Sequence, residues 1–204
     1  MMLALKHVTR RMSLGLCSLV LLVLLVACGG PSTPSTIGTT PTPTPTNTPT
    51  PTPTPVTTQT YTGTGFTIGY PTGWTPMNQA GLGVAITDQL KANAVTVITT
   101  PATGTADQVS AAEATALIPI VMPGAQPITT VAPTTTFAGD TWAQKAYTGM
   151  TTVNGQSVKT RIYLLVNIHQ GKAFVILYGG PDLAFDVYNV QYFQPMLQSF
   201  KFTA

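Results

Sequence analysis

The chain has 204 residues, of which 44% are hydrophobic and only 7% are charged; nine Lys and Arg against six Asp and Glu give a formal net charge of +3. Lys6, Arg10 and Arg11 supply three of the nine basic residues, so the rest of the chain carries six charges of each sign. A neutral remainder excludes electrostatic recognition of nucleic acid or of an anionic surface as its main role.

A hydrophobic run near the N-terminus has the length of an export signal. It extends from Leu14 to Val26, about thirteen residues, whereas a helix needs about 20 to span a bilayer. The "LVAC" that ends at Cys28 resembles the lipobox of bacterial lipoproteins. The resemblance implies a signal peptide over residues 1–27, a lipid on the Cys28 thiol, and attachment to the extracytoplasmic side of the cell membrane. The alternative is a stop-anchor helix with an incidental cysteine.

The remaining cysteine, Cys17, lies inside the hydrophobic run and would be removed with the signal. With Cys28 lipidated, the mature chain keeps no thiol for a disulfide or a metal. The exported domain must therefore be held together by its core.

A low-complexity tract follows, and we assign residues 28–59 to a linker. From Pro31 to Val56 it consists mostly of Thr and Pro, with Pro at alternate positions over much of its length. Such a sequence favours polyproline II and has little apolar surface to bury. At about 3.1 Å per residue, it could hold a domain on the order of 90 Å from the membrane. The composition is equally typical of O-glycosylated stalks and of unmodified linkers.

The folded part is predicted over residues 60–204, which is long enough for one domain with its own core. "FTIGYPTGW" predicts a strand followed by a turn at Pro71–Gly73. "GVAIT" and "AVTVITT" predict two short strands. "TADQVSAAEATAL" predicts a helix that Thr105 and Gln108 cap at its start and Pro119 ends. Its predicted apolar face consists of Val109, Ala112, Ala116 and Leu117.

The next part of the chain is predicted to form hairpins. "ITTVAPTTTFAG" and "TWAQKAYTGMT" are separated by Gly139-Asp140, and Asn154-Gly155 predicts a two-residue turn before "QSVKTRIYLLVNI". "HQGK" then leads into "AFVILYGG". In both of these last strands the two alternating sets of side chains are apolar, which predicts central strands covered on two sides.

A final helix, with Asp182 at its start, is predicted to carry Val190, Phe193 and Leu197 on one stripe and to kink or restart at Pro195. The predicted fold class is α+β, with an antiparallel sheet sandwiched between helices.

The opening "GFTIGYPTGW", the central hairpins and the ending "YFQPMLQSFKF" resemble the PsbP-like family, whose members often carry Tyr-Pro-x-Gly-Trp and Ser-Phe-Lys at these places. The resemblance covers roughly residues 60 to 204 and implies an α-β-α sandwich that acts in binding or assembly. Plant members dock on photosystem II, a fungal relative binds a Ran-type GTPase, and many bacterial members are lipoproteins. The family supplies no catalytic residues. The five Lys and one Arg of the mature chain do not form the basic docking surface of the plant members.

Catalytic and metal-binding patterns are weak in this sequence. His169 is the only histidine after the leader, and its hairpin places it at a strand end or in the turn. Ser157 and Ser199 lack the elbow that activates a nucleophilic serine. Asp182 and Asp186 share a helical face, but they are more typical of a helix start than of a cation site. We therefore expect a non-enzymatic protein with no cofactor and no bound metal.

Two places are candidates for a partner surface. Trp74 follows the Pro-Gly turn, although a single Trp is more often part of the core. Ile120, Val121 and Met122 lie in a Pro- and Gly-rich stretch, predicted to be a loop, where apolar residues either cover the core or form a contact patch. The sequence thus favours a membrane-tethered module that binds an unidentified protein. The alternatives are a carrier of a lipid or other apolar ligand, and an inert capped stalk.

Overall fold

A computed structural model describes residues 58–79 and 83–203. The predicted signal peptide, Cys28 and the linker up to residue 57 lie outside the described residues. The first strand, β1 (Thr58–Gly63), begins close to the predicted domain start and pairs antiparallel with β2 (Phe66–Pro71).

The main sheet is antiparallel and has eight strands within the described residues. In chain order they are β3 (Thr75–Gln79), β4 (Gly83–Thr87), β5 (Ala94–Pro101), β6 (Gln126–Pro127), β7 (Thr134–Phe137), β8 (Asp140–Val153), β9 (Gln156–His169) and β10 (Lys172–Pro181). Their order in space is β3-β4-β5-β10-β9-β8-β6, and β7 also pairs with β8. The two strands that were predicted to be central, β9 and β10, therefore lie inside the sheet with neighbours on both sides.

Three two-residue turns connect the successive strands from β7 to β10. Asn154-Gly155 joins β8 to β9 as predicted, and Gln170-Gly171 joins β9 to β10; all four residues have positive φ, between 49° and 79°. Such turns match the twist of the strands that they connect. The turn between β7 and β8 is at Ala138-Gly139, so the prediction of Gly139-Asp140 was wrong by one residue and Asp140 begins β8.

The long helix α1 (Ala106–Val121) has the predicted capping box. The Thr105 N–H donates to Gln108 Oε1 at 2.9 Å, and the Gln108 N–H donates to Thr105 Oγ1 at 3.3 Å. The buried side of α1 differs from the predicted face, because it consists of Val109, Ser110, Ala114 and Ile118. Pro119 does not end the helix but lies inside its last turn.

The C-terminal helical segment, residues 182–198, is irregular. A 3₁₀ turn (Asp182–Ala184) leads into α2 (Phe185–Tyr188), a π-helical turn (Asn189–Phe193) and α3 (Gln194–Gln198). Phe193 and Leu197 are buried as predicted, whereas Val190 is 62% exposed, so its place in the predicted stripe was wrong. The chain then ends its described part with β11 (Lys201–Phe202), which pairs with β2.

The main sheet has a hydrophobic cluster on each face. On one face α1 packs over side chains that include Leu164, Val166 and Val175. On the other face, the C-terminal segment and the small sheet β1-β2-β11 cover an aromatic-rich cluster that includes Phe174, Ile176 and Phe193. The domain is thus mostly antiparallel sheet. The predicted sandwich between helices holds in part, because strands share the second covering layer with the C-terminal segment.

Candidate functional site: an apolar groove at the end of the long helix

The predicted contact patch lies at the end of α1 rather than in a loop. Ile120 and Val121 belong to the last helical turn and are 77% and 43% exposed. Met122 is fully buried, so its prediction as a surface residue was wrong. Its sulfur occupies the space above Gly149 in β8, where a Cβ would collide with it.

Trp74, predicted as a partner-surface residue, packs mostly into the core and leaves only an edge that lines a shallow cleft with Tyr188 and Tyr192. Its side chain is 8% exposed and belongs to the aromatic-rich cluster. The indole meets the Phe193 ring edge-on at 6.1 Å between centroids. This contact ties the turn before β3 to the C-terminal segment.

An apolar groove of about 270 Å³ lies beside the end of α1, on the sheet face that this helix covers in part. Its lining includes Val121 from α1, Thr96 from β5, Ile162 from β9 and Leu177 from β10. Leu177 pairs with Thr96 and with Leu164 across the sheet, so the floor is continuous with the buried cluster under α1. The groove is therefore a part of the hydrophobic sheet face that the helix leaves open.

The loop between β4 and β5 forms one wall of the groove. The Asp88 carboxylate organises this loop by accepting hydrogen bonds from the Ala92 N–H at 2.8 Å and the Asn93 side-chain amide at 2.7 Å. The tip of the β8–β9 hairpin bonds to the same loop, since Asn154 Nδ2 donates to Leu90 O at 3.3 Å. Because both walls are held by hydrogen bonds, the shape of the groove is largely preformed.

The residues considered for catalysis have structural contacts. His169, at the end of β9, is half-buried and stacks on Phe202 with 4.1 Å between ring centroids. Ser199 Oγ accepts from the Gly69 N–H at 2.7 Å and donates to Met196 O at 2.6 Å. Ser157 is exposed at the start of β9. No two of these three residues are brought into hydrogen-bond contact within the described part of the chain.

Asp182 and Asp186 form an ion-pair cluster with two basic residues of β9. Arg161 Nε donates to Asp182 Oδ1 at 2.8 Å, and its Nη1 donates to Asp186 Oδ1 at 2.9 Å. Lys159 Nζ lies 3.1 Å from Asp182 Oδ2, and the Arg161 guanidinium lies 4.8 Å above the Phe185 ring. In residues 58–79 and 83–203, His, Cys, Asp and Glu do not form a group of three or more that could bind a metal. The cluster anchors the start of the C-terminal segment to the sheet.

The Asp182 carboxyl should make stability depend on pH. The hydrogen bond from Lys159, together with the bond and the charge of Arg161, holds the pKa of Asp182 below its usual value. A carboxyl with a lowered pKa in the folded state stabilises the fold above its unfolded pKa of about 3.9 and loses that contribution as pH falls through the folded value. We expect Asp182→Asn to lower the free energy of unfolding by about 1–2 kcal/mol at pH 7, with a smaller difference at pH 3. Urea unfolding at pH 7, 5 and 3 measures this.

Asp186→Asn is the matched control for Asp182→Asn. Asp186 binds the same guanidinium, but its side chain is 84% exposed, so solvent weakens the ion pair. At pH 7, Asp186→Asn should lower the free energy of unfolding by less than Asp182→Asn does. Equal losses in the two variants, or a loss at Asp182 that did not change with pH, would contradict the assignment.

The domain has a three-layer α+β architecture. A large antiparallel sheet carries a helix on one face, and a helical segment and a small sheet cover the other face. Its fold is similar to that of cyanobacterial PsbP (CyanoP) from Synechocystis sp. PCC 6803, with a TM-score of 0.54 and 18% identity over 74% of this chain and 95% of that one. LpqN of Mycobacterium tuberculosis, described as involved in cell envelope biogenesis, aligns with a TM-score of 0.47 and 14% identity over 73% of this chain and 92% of that one. No protein-family model and no curated protein sequence matches the chain. The chain therefore has a PsbP-like fold, and the likeness at this identity concerns the fold alone.

Among the described residues we find no helix with the length and hydrophobicity that a membrane crossing requires.

Part of this site could be predicted from the sequence. Ile120 and Val121 were found because apolar residues next to Pro and Gly are unusual on a surface. The groove floor was missed, because Thr96, Ile162 and Leu177 alternate in their strands in the same way as fully covered residues do. The sequence pattern does not indicate how far along these strands α1 covers the sheet.

Proposed function

We propose that this protein is a lipid-anchored binding or assembly module on the extracytoplasmic side of the membrane, without enzymatic activity. Cys28 carries the lipid, and the Thr/Pro linker presents the domain. The observation that supports binding is the exposed pair Ile120 and Val121 at the end of α1, of which Val121 lines the apolar groove. Exposed apolar residues next to a concave apolar surface are typical of protein contact sites.

The size of the groove favours a protein partner over a carried lipid. Its volume of about 270 Å³ lies just below the roughly 300–1,000 Å³ of typical small-molecule sites. An apolar side chain of a partner fits such a space, with Ile120 and Val121 contacting the partner around it. A lipid with long acyl chains would leave most of its apolar surface in water.

A second candidate function, the carrier of an apolar ligand, has support from a different place. A cleft of about 770 Å³ lies between the small sheet and the main sheet, and its lining includes Tyr61, Phe66 and Lys172. That volume falls within the range of small-molecule sites. Native mass spectrometry of the purified protein distinguishes the two functions, because a carrier should retain a ligand of defined mass.

Photo-crosslinking in cells tests the binding module. We expect a photoreactive phenylalanine in place of Ile120 to crosslink to a discrete protein, because this side chain is 77% exposed at the proposed contact. The matched control is the same residue at Leu183, which is fully exposed on the other side of the sheet. Adding Thr96→Trp to fill the groove should weaken the Ile120 crosslink at least fivefold. Crosslinking that is equal at Leu183, or that persists with the groove filled, would contradict the proposal.

A further inference from the structure

A second concave surface, lined by aromatic rings, lies on the face of the main sheet opposite to α1. It is a cleft of about 240 Å³ between the turn before β3 and the C-terminal segment. Trp74, Tyr188 and Tyr192 line it, with 5.8 Å between the centroids of Trp74 and Tyr192 and 5.2 Å between those of Tyr188 and Tyr192. Both Tyr side chains are half-buried, so each ring is partly accessible. The three rings form a continuous aromatic surface, which we call the aromatic cleft.

The aromatic cleft offers little to a charged ligand. Asp88 lines it, but the two oxygens of this carboxylate already accept hydrogen bonds from Ala92 and Asn93. Tyr and Trp rings, whose O–H and N–H groups donate hydrogen bonds, suit an uncharged segment whose carbonyl oxygens accept them. Proline-rich segments in polyproline II form have these properties, and aromatic grooves are the usual surface that binds them.

The chain itself carries such a segment, and the first described residue after it lies close to this cleft. Thr58, the first residue of β1, pairs with Pro71, and the Trp74 N–H donates to Pro71 O at 3.1 Å across the turn. Residues 72 and 73 of this turn line the aromatic cleft. Thr58, the first described residue after the Thr/Pro tract, is therefore next to the turn that borders the cleft.

We propose that the aromatic cleft binds the end of this chain's own Thr/Pro tract, residues 50–56. The segment reads "TPTPTPV" and has no charged residue, which matches the cleft. At about 3.1 Å per residue in polyproline II, it is long enough to cross three adjacent rings. Binding costs little conformational entropy, because alternating Pro already restricts the segment to this form. The bound segment fixes the direction in which the linker leaves the domain.

Tyrosine nitration tests this contact in the full chain. We expect the triple variant Pro51→Ala, Pro53→Ala, Pro55→Ala to nitrate at Tyr188 and Tyr192 at least threefold faster than the unaltered chain, read by mass spectrometry of each peptide. Tyr61 is the internal control, since it is half-buried but bonds to Asn78 at the opposite end of β1 from the cleft. Tyr178, which is 4% exposed, reports that the fold is intact. A synthetic "TPTPTPV" peptide added to the triple variant should restore the protection, and a Gly-Ser peptide of equal length should not.

Three outcomes would overturn the proposal. The first is an equal nitration rate in the two chains. The second is protection that weakens when the protein is diluted tenfold, which would assign the cleft to the tract of a second copy. The third is protection of Tyr188 and Tyr192 that is present in cells and lost on purification, which would indicate that a different molecule occupies the cleft.

Discussion

Replacing Val175 with Asp should unfold the domain. Val175 is fully buried at the middle of β10, where it pairs with Ile98 on one side and Val166 on the other. Its side chain lies in the cluster under α1, so the new carboxyl would have no water and no basic partner. An unpaired buried charge of this kind costs about 5 kcal/mol or more, comparable with the whole stability of a small domain. Far-UV circular dichroism with a thermal melt should show no cooperative transition.

The matched control is the same change at Val190, which is 62% exposed in the π-helical turn. There the carboxyl stays in water, and we expect the free energy of unfolding to change by no more than about 0.5 kcal/mol. If Val175→Asp melted within a few degrees of the unaltered chain, β10 would not be covered on both faces.

Burial of both faces of the central strands is the part of the fold that sequence predicts best. In β9 and β10 both alternating sets of side chains are apolar, and the structure places Leu164 and Val175 in one cluster and Leu165 and Ile176 in the other. The signal is strong because a strand with one solvated face would expose several large apolar side chains. The sequence signal for the turn at Asn154-Gly155 was equally strong, because few other residue pairs accept positive φ at both positions.

The end of α1 was predicted wrongly because tertiary packing overrides the local effect of Pro119. A proline inside a helix removes one backbone hydrogen bond and crowds the preceding turn. Ile118 and Met122 are buried on either side of it, and the Met122 N–H still donates to Ile118 O at 2.8 Å. The space that Gly149 leaves for Met122 comes from a distant strand, which a local pattern does not reveal.

The error at Val190 has a local cause. Val190, Phe193 and Leu197 would share one face of a regular helix, but residues 189–193 form a π turn. Pro195 lacks the N–H that would bond to the carbonyl four residues earlier, and its ring crowds that carbonyl. The wider π turn accommodates the missing N–H and the ring of Pro195, and it places Val190 outside the core. The kink at this proline was expected, but its effect on the preceding turn was not.

The ion-pair cluster and the two concave surfaces could not be predicted, because each brings together residues that are distant in the sequence. Arg161 in β9 binds Asp182, which follows the neighbouring strand β10. Trp74, in the turn before β3, contacts Tyr192 in the C-terminal segment. The i, i+4 spacing of Tyr188 and Tyr192 was visible in the sequence, but it is equally common in helices that bury one aromatic face.

If Cys28 carries the lipid that we propose, replacing it with Ser should release the protein from the membrane. The thiol is the group that a diacylglyceryl transfer would modify, and a hydroxyl does not replace it. Without residues 1–27 the chain carries six charges of each sign, so it has no excess positive charge to hold it on an anionic bilayer, whereas acyl chains contribute about 0.8 kcal/mol per buried CH₂ group. We expect nearly all of the variant either to remain an unprocessed precursor or to appear in the medium, read by membrane fractionation and electrophoretic size.

Cys17→Ser is the control that separates lipidation from a general effect of losing a cysteine. Cys17 lies within the hydrophobic run, where Ser leaves most of the apolar length intact, so processing and membrane retention should stay normal. The mass of the N-terminal peptide supplies an independent reading, because the proposed lipid on Cys28 would add acyl mass that hydroxylamine and lipase treatments would release in part. A Cys28→Ser variant that still fractionated with membranes at mature size would show that the anchor is elsewhere.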